Sequence, residues 1–180
     1  MLNKEEILNW NSKYDKDHPW WVAKERELGD KFRKEQQVTK DDLKEVVEWK
    51  FLNLPYKNDR LRDVEKIDDA EIRRKSHEMF SQVWENEIDR INNFRFSGVG
   101  AATISVVLTF YDPENYGVFD RHVWRELFGR ESEDEYLFST ANCVKVLSEL
   151  RKIAGRDGLH VRTVEKAYFK KNHDEHKKKT

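Results

Sequence analysis

The sequence predicts an all-helical protein, on three observations. The 180 residues include only seven glycines and three prolines, the residue types that mark turns. Charged residues make up 38% of the chain and hydrophobic residues 37%, a balance that favours amphipathic helices over the apolar strands of a buried sheet. Apolar residues also recur at helical spacing along most of the chain. We expect one compact multi-helix domain over residues 1–169, followed by a basic, disordered tail over 170–180.

The first third of the chain is predicted to be helical. It begins with an aromatic-rich segment that contains Trp10, Tyr14, Trp20, Trp21 and Phe32. Thr39, with Asp42 three residues later, then forms a helix-capping pattern, and apolar residues over 43–54 repeat at helical spacing. Pro55 ends this helix, and a polar stretch over 57–59 makes the next connection.

The middle of the chain predicts two helices of different character. Residues 68–93 form one long helical pattern, whose apolar members are Ile72, Met79, Phe80, Val83, Trp84, Ile88 and Ile91. Residues 101–110 are apolar nearly all round, so this segment is predicted to be the most buried helix. The pair at 112–113, Asp then Pro, ends it.

The last third of the chain predicts three more helices. Residues 117–119 are predicted to form a short extended segment. Asp120 then stands at the N-cap position of a helix that carries Val123, Trp124 and Leu127. Apolar residues at helical spacing over 137–150 and 161–168 predict the other two.

Charge and cysteine content narrow the classes of protein. The single cysteine, Cys143, excludes a disulfide framework and a four-thiolate iron–sulfur cluster. No apolar run approaches the roughly 20 residues that cross a bilayer, and the first six residues lack the blocks of a signal peptide. We therefore expect a cytoplasmic protein without membrane contact. Residues 151–180 carry ten Lys or Arg against four Asp or Glu, so this end could approach a polyanion or form a solvated tail.

A glycine-containing turn is the most informative motif. Gly98 and Gly100 flank Val99 between two predicted helices. Glycine lets the backbone turn tightly and approach a ligand closely. The unpaired N–H groups at the start of the following helix can hold a phosphate, with help from the helix dipole. A plain interhelical turn is the alternative interpretation of this motif taken alone.

The chain from residue 98 to residue 125 resembles the helix-hairpin-helix DNA glycosylase superfamily, which includes endonuclease III and the adenine-mismatch and 8-oxoguanine glycosylases. The shared pattern is a Gly-Val-Gly hairpin, an apolar helix led by Thr103, a turn with proline, and Asp-x-His-Val-x-Arg at 120–125. The resemblance implies a helix-hairpin-helix element that binds double-stranded DNA through Ser97, Gly98, Val99, Gly100, Ala101 and Thr103. It covers less than a fifth of the chain closely.

The same resemblance implies that Asp120 is the catalytic carboxylate, because it follows the hairpin at the family's interval. Such a carboxylate would stabilise positive charge on the sugar while the N-glycosidic bond of a damaged or mispaired base breaks. Ala102 stands where bifunctional members carry a Schiff-base lysine, which predicts a hydrolytic enzyme without lyase activity. Arg121 departs from the family's usual small polar residue. A simple N-cap is the alternative role for Asp120.

Base excision also requires that the target nucleotide is flipped into a pocket. The candidates for its walls are Trp49, Lys50, Trp84 and Trp124, with core packing as the alternative role for each tryptophan and a solvated position on the helix as the alternative for Lys50. Lys50 is also a candidate surrogate for the missing Schiff-base lysine. By resemblance, the main-chain carbonyls of Phe94, Phe96 and Val99 are a candidate site for a monovalent cation, and no other cofactor is required.

Three classes of function remain open on the sequence alone. The first is a monomeric DNA glycosylase of base-excision repair. The second is a helix-hairpin-helix module that binds DNA without catalysis, and the third is a helical interaction protein with no nucleic-acid ligand. A pair of histidines, His173 and His176, has the spacing of metal ligands but lies in a polar stretch where a chance pair is the commoner case.

Overall fold

A computed structural model describes residues 1–129, 132 and 138–177, and confirms the all-helical prediction. Within these residues the chain forms ten helices and no strand. In chain order they are α1 (Lys4–Asp17), α2 (Pro19–Glu35), α3 (Lys40–Phe51), α4 (Lys57–Glu65), α5 (Asp69–Ser81), α6 (Glu87–Asn93), α7 (Ala101–Tyr111), α8 (Arg121–Phe128), α9 (Thr140–Asp157) and α10 (Val161–Lys177).

The first two helices divide the aromatic-rich segment. Asn3 caps α1 through its side chain, and α2 begins with Pro19, whose missing N–H costs nothing at the first helical position. The predicted cap of α3 is confirmed, because the Thr39 side chain accepts from the Asp42 N–H while the Asp42 side chain accepts from the Thr39 N–H. Helix α3 therefore starts where the capping pattern placed it.

Two sequence-based boundaries were wrong. The polar stretch at 57–59, expected to be a connection, is the first turn of α4. The long helix expected over 68–93 is broken after Ser81, and Asn86 caps α6 by accepting from the Asp89 N–H. Val83, which lies in the break, is fully exposed, and Ile88 of the same pattern is exposed as well.

Helix α7 is the centre of the core, as predicted. Every residue from Ala101 to Phe110 is buried, and α7 contacts α2, α3, α6 and α9. The hydrophobic core that includes it draws residues from Leu2 to Tyr168. Both ends of α7 are consequently held in fixed positions, and these ends carry the glycine turn and the approach to Asp120.

The C-terminal helices differ from the expectation at two points. Helix α9 begins at Thr140 behind the Ser139 cap, and residue 137, where the sequence pattern began, lies outside the described residues. The disordered tail expected over 170–180 does not hold over 170–177, because α10 continues to Lys177 and residues such as Lys170 and Asn172 are buried. Residues 178–180 of that predicted tail are outside the described part of the chain.

The structure also bears on membrane association. Within the described residues, no helix combines the length and the apolar character that a membrane span requires.

Candidate functional site

The turn between α6 and α7 is closed by its own backbone. The Phe96 N–H donates to the Val99 carbonyl at 3.3 Å, and the Val99 N–H donates to the Phe96 carbonyl at 3.0 Å. Ser97 and Gly98 form the tip, and Gly98 has a φ of +79°. A Cβ at this position would lie 2.3 Å from the Cβ of Asp63 on α4. Glycine is thus required at residue 98 both by backbone conformation and by close packing.

The second glycine has a different role. Gly100 is the N-cap of α7, with φ −102° and ψ −174°, and a Cβ built there meets nothing within 4 Å. The first backbone N–H groups of α7 to find acceptors are those of Thr103 and Ile104, which both donate to the Gly100 carbonyl. In the described part of the chain, the N–H groups of Ala101 and Ala102 have no acceptor. They are the free donors that an anion at a helix N-terminus would use.

A cleft of about 410 Å³ opens beside this turn, a volume within the range of ligand sites. Gly98 and Gly100 line it together with the first turn of α7, including Ala101, Ala102 and Thr103. Of the six residues predicted to bind DNA, the other two lie off the lining: Ser97 is exposed at the tip of the turn and Val99 is fully buried.

The charges at the cleft are mixed. Arg60 and Arg95 line it, on α4 and just after α6. Asp63 lies close to the turn as well, and its carboxylate is 3.8 Å from Arg60 and 3.3 Å from Lys66. The arginines favour an anionic ligand. The negative charge of Asp63 disfavours one, and its pairs with Arg60 and Lys66 offset part of that charge.

Asp120 is the N-cap of α8, as predicted. Its Oδ1 accepts from the His122 backbone N–H at 2.8 Å. Its Oδ2 accepts from Nζ of Lys50 at 2.9 Å, and the same Nζ donates to the Phe119 carbonyl at 3.0 Å. The side chains of Lys50 and Asp120 are 7% and 23% exposed. A largely buried ion pair thus joins the last turn of α3 to the first turn of α8.

The pKa of Asp120 reflects two opposed effects. Burial raises it, but the charge and the hydrogen bond of Lys50 lower it more, with a smaller contribution from His122. The pKa of Asp120 therefore falls below its ordinary value. The carboxylate is ionised at neutral pH, which is the state that could stabilise a positively charged sugar.

One serine ties Asp120 to the helix that begins at the glycine turn. The hydroxyl of Ser105 donates to the Ala102 carbonyl at 2.8 Å and accepts from the Phe119 N–H at 2.8 Å. Because Ser105 is buried on α7, the residue before Asp120 is held at a fixed distance from the first turn of that helix. The interval between the turn and the acid thus has a structural cause.

Asp120 and Lys50 line a second, smaller cavity of about 50 Å³. Four of its nine lining residues are aromatic, namely Tyr14, Trp21, Trp49 and Phe169. The volume is enough for about one or two water molecules and too small for a nucleobase. The glycine turn and the acid therefore face two different cavities in this conformation.

The structure separates the four predicted pocket residues into two pairs. Trp49 and Lys50 line the small cavity, and the Trp49 Nε1 donates to the Trp21 carbonyl at 3.0 Å. Trp84 and Trp124 line neither cavity. Trp124 is fully buried on α8, with Nε1 donating to the Ser132 carbonyl at 3.1 Å, so it is a core residue in this conformation.

The carbonyls proposed to hold a cation are partly used by the turn itself, since those of Phe96 and Val99 accept each other's N–H groups. That site stays a prediction. Within the described residues, no group of three or more His, Cys, Asp or Glu side chains is arranged to bind a metal ion.

Sequence reasoning missed two further charged residues that line the small cavity. Arg162 of α10 is 4% exposed, and its Nε and Nη2 donate to the two carboxylate oxygens of Glu25 at 3.0 and 2.8 Å. Its Nη1 donates to Glu165, which is 2% exposed. The i, i+3 spacing of Arg162 and Glu165 is visible in the sequence, but it is also common on solvated helices.

The basic C-terminal region does not form a free cationic surface over the residues described. Lys166 pairs with Asp15, and Lys170 pairs with Asp17. Lys171 pairs with Glu126 of α8. The charges of these lysines thus hold α10 against its neighbours, and the approach of this end to a polyanion stays a prediction.

The molecule thus combines a ligand-sized cleft at a glycine turn with a buried Lys50–Asp120 pair in a neighbouring cavity. No protein-family model, no curated protein and no solved structure matches the chain.

Proposed function

We propose that this protein is a DNA glycosylase of the helix-hairpin-helix superfamily, which hydrolyses the N-glycosidic bond of a damaged or mispaired base in double-stranded DNA. The observation that carries the proposal is the environment of Asp120. The acid is held by the α8 N-terminus and by Lys50 at 2.9 Å, and it lines a cavity. Asp120 also lies 18 residues after Ala102, which agrees with the family pattern.

Asp120 has the properties that glycosidic cleavage requires of a carboxylate. Loss of the base develops positive charge on the deoxyribose, and an ionised, fixed acid stabilises that charge without reorganising. Two hydrogen bonds fix the Asp120 carboxylate, one from His122 and one from Lys50. Water would then attack the anomeric carbon, and the base would leave.

The glycine turn is the proposed DNA anchor. The free N–H groups of Ala101 and Ala102 and the positive end of α7 favour a phosphate in the cleft. Arg60 and Arg95 supply two further positive charges at its walls. In this proposal the turn with its two flanking helices is the helix-hairpin-helix element, and the enzyme acts as a monomer.

The small cavity is the proposed entrance for the flipped nucleotide. Its aromatic walls, including Trp21 and Trp49, offer stacking surfaces for a base. At about 50 Å³ the cavity must widen to admit one, so base flipping is coupled to movement of the wall residues. Binding energy from the cleft would supply the free energy for that movement.

The test is a base-release assay over duplexes that contain uracil, 8-oxoguanine, oxidised pyrimidines, alkylated bases or mismatches. We expect wild type to release at least one of these bases and Asp120→Asn to be slower by about 100-fold or more. Asp68→Asn is a matched control, because Asp68 caps α5 by accepting from the Glu71 N–H but lines neither cavity. Equal rates of base release for Asp120→Asn and Asp68→Asn would mean that Asp120 acts only as a helix cap.

One observation favours a second candidate function, a DNA-binding module without catalysis. The ligand-sized cleft lies at the turn, whereas Asp120 faces the smaller cavity. Such a module would retain duplex DNA with a strong dependence on salt but release no base. Duplex retention without base release from any member of the lesion panel would select this function.

A further inference from the structure

The cleft beside the glycine turn is larger than a backbone phosphate requires. Its volume of about 410 Å³ lies in the range of about 300–1,000 Å³ in which proteins enclose a whole small molecule. The first turn of α7 and the two arginines make up only part of its wall. The rest of the wall therefore indicates a ligand that extends beyond one phosphate group.

Aromatic side chains form much of that remaining wall. They come from the end of α3, the start of α4, the glycine turn and the residue two before α9, and they are Phe51, Tyr56, Phe96 and Phe138. The Tyr56 ring lies 5.6 Å from the ring of the buried Phe51, edge to face. Tyr56 is 38% exposed and Phe138 is 56% exposed. Partly exposed rings at a cleft offer faces on which a planar base can stack.

The positive side chains of the cleft are only weakly compensated. Within the described residues, the exposed Arg95 forms no ion pair. Arg60 has a single one there, at 3.8 Å from Asp63. Both guanidinium groups can therefore contribute charge to a ligand in the cleft, together with the N–H groups of Ala101 and Ala102.

This set of donors fits a terminal phosphate better than a phosphate within a strand. A phosphate monoester carries about −1.5 to −2 charges at pH 7 and three strong acceptor oxygens. A phosphodiester carries one negative charge, and two of its oxygens are bonded to sugars. Two arginines and two N–H groups thus match the charge and the acceptors of a phosphate at a chain end.

We propose that the cleft binds a nucleotide that ends in a phosphate, with the phosphate at the N-terminus of α7 and the base against Tyr56 and Phe138. The nucleotide is either a free mononucleotide or the unpaired, phosphorylated end of a DNA strand. This site goes beyond base excision and uses the cleft of the proposed DNA anchor, so a bound nucleotide would compete there with a duplex.

Asp63 limits the affinity of this site. Its carboxylate lies beside the turn, where its negative charge repels an incoming phosphate. Asp63→Asn should therefore bind the nucleotide several-fold more tightly, with a smaller gain at high salt. Asp63 does not line the cleft, so this variant leaves the aromatic wall unchanged.

The test is calorimetric titration of the full chain with dAMP, deoxyadenosine and inorganic phosphate. We expect dAMP to bind at least about 10-fold more tightly than either of the others, because only dAMP reaches both the aromatic wall and the positive groups. A hairpin duplex with one unpaired terminal nucleotide, with and without its 5′ phosphate, separates the two sources. Tighter binding of the phosphorylated end than of dAMP would assign the site to strand ends, and the reverse would assign it to free nucleotides.

Two variants each remove one part of the site. Tyr56→Leu removes a ring and Arg95→Met removes a charge, and each should weaken dAMP binding by about 10-fold. Trp20→Leu and Arg74→Met are the matched controls, because both residues are exposed and neither lines the cleft. All four substituted residues are exposed, so the core is unchanged in each variant.

The outcomes separate the nucleotide site from the glycosylase. Failure to bind dAMP, equal affinity for dAMP and inorganic phosphate, or wild-type affinity in both Tyr56→Leu and Arg95→Met would overturn the nucleotide site. Base release from the lesion panel without dAMP binding would support the glycosylase alone. Binding of dAMP without release of any base would support the nucleotide site and remove the glycosylase.

Discussion

The Lys50–Asp120 pair sets the charge at the candidate site. Each residue is costly to bury alone, and removal of either leaves an uncompensated charge. The pair also sets the pH at which Asp120 can act. Because the pKa of Asp120 is lowered, its stabilising contribution is present above the unfolded value of about 3.9 and is lost as pH falls through the folded value.

The first residue-scale prediction concerns the pH profile of base release. In Lys50→Met, burial still raises the pKa of Asp120 but the lysine no longer lowers it. We expect the acidic limb of kcat/KM to move to higher pH by about one unit or more, which is ~1.4 kcal/mol in the ionisation of Asp120. The measurement is the pH–rate profile on the best substrate, supported by carbon NMR titration of the Asp120 carboxyl.

Lys50→Arg is the control for this shift. Arginine restores a positive charge beside Asp120, so its acidic limb should lie near that of wild type even though the amine is absent. An unchanged acidic limb in Lys50→Met would mean that Lys50 does not control the ionisation of Asp120.

At this scale the sequence identifies both members of the pair as site candidates but does not predict that they meet. Asp120 stands in a motif whose spacing is local, from the turn at 98 to the helix at 121. Its partner lies 70 residues away in the chain, and no periodicity links the two. Arg162 and Glu25 are separated by 137 residues, so they could not be paired from sequence either.

The two glycines of the turn have different roles, one in backbone conformation and the other in access of a ligand to the cleft. Gly98 sits at positive φ against Asp63, whereas Gly100 has an ordinary φ and faces open space in the cleft. Substitution at the first should therefore affect folding, and substitution at the second should affect what enters the cleft.

The element-scale prediction compares Gly98→Ala with Gly100→Ala. Gly98→Ala should lower the free energy of unfolding by about 1–3 kcal/mol, through backbone strain and the clash with Asp63. Gly100→Ala should change it by less than about 1 kcal/mol, but its methyl group should weaken duplex binding by crowding the N–H groups of α7. Denaturant unfolding and duplex retention at low salt measure the two effects.

Asp63→Asn is a useful companion to this pair. It removes a negative charge beside the turn without changing the shape of the side chain. Stronger duplex retention is expected, with a smaller gain at high salt. If Gly100→Ala and Asp63→Asn both bind duplex as wild type does, DNA does not use this cleft.

Elements with explicit end signals could be predicted, and those without them could not. The Thr39 cap fixes the start of α3, and the apolar surface of α7 marks it as the central helix. Helix α4 was missed because most of its residues are polar and its only buried residue is Val64. The break between α5 and α6 was missed because apolar spacing continued through Val83, which the structure leaves exposed.

For the molecule as a whole, ion pairs join the two ends of the chain. Helix α10 packs against α1, and its lysines meet acids of α1 and α8. The composition shows only a positive C-terminal region in a nearly neutral chain. These charges are compensated internally, and within the described residues the positive side chains that line the cleft are Arg60 and Arg95.

Arg162 forms two further internal ion pairs. It is shared between Glu25 of α2 and Glu165 of its own helix, with the Tyr14 hydroxyl 3.3 Å from Nη2. Burial raises the pKa of Glu25, but the charges and hydrogen bonds of Arg162 and Lys166 together lower it by a larger amount, so the pKa lies below its ordinary value. Glu25 therefore stabilises the fold above about pH 4.3, and this contribution is lost as pH falls through its lowered pKa.

The whole-molecule prediction is that Arg162→Met lowers the free energy of unfolding by about 3–5 kcal/mol at pH 7, because it removes the arginine that pairs with two buried carboxylates, those of Glu25 and Glu165. Arg74→Met, which breaks an exposed pair with Glu78, should change it by only about 0.5 kcal/mol. Without Arg162, burial raises the pKa of Glu25, so protonation of Glu25 in acid reduces the destabilisation of the variant. In wild type the same protonation breaks the pair with Arg162 and destabilises the protein. The gap between the two proteins should narrow from pH 7 to pH 4 in denaturant unfolding. A gap that is small at pH 7, or that widens in acid, would mean that Arg162 does not hold α10 against α2.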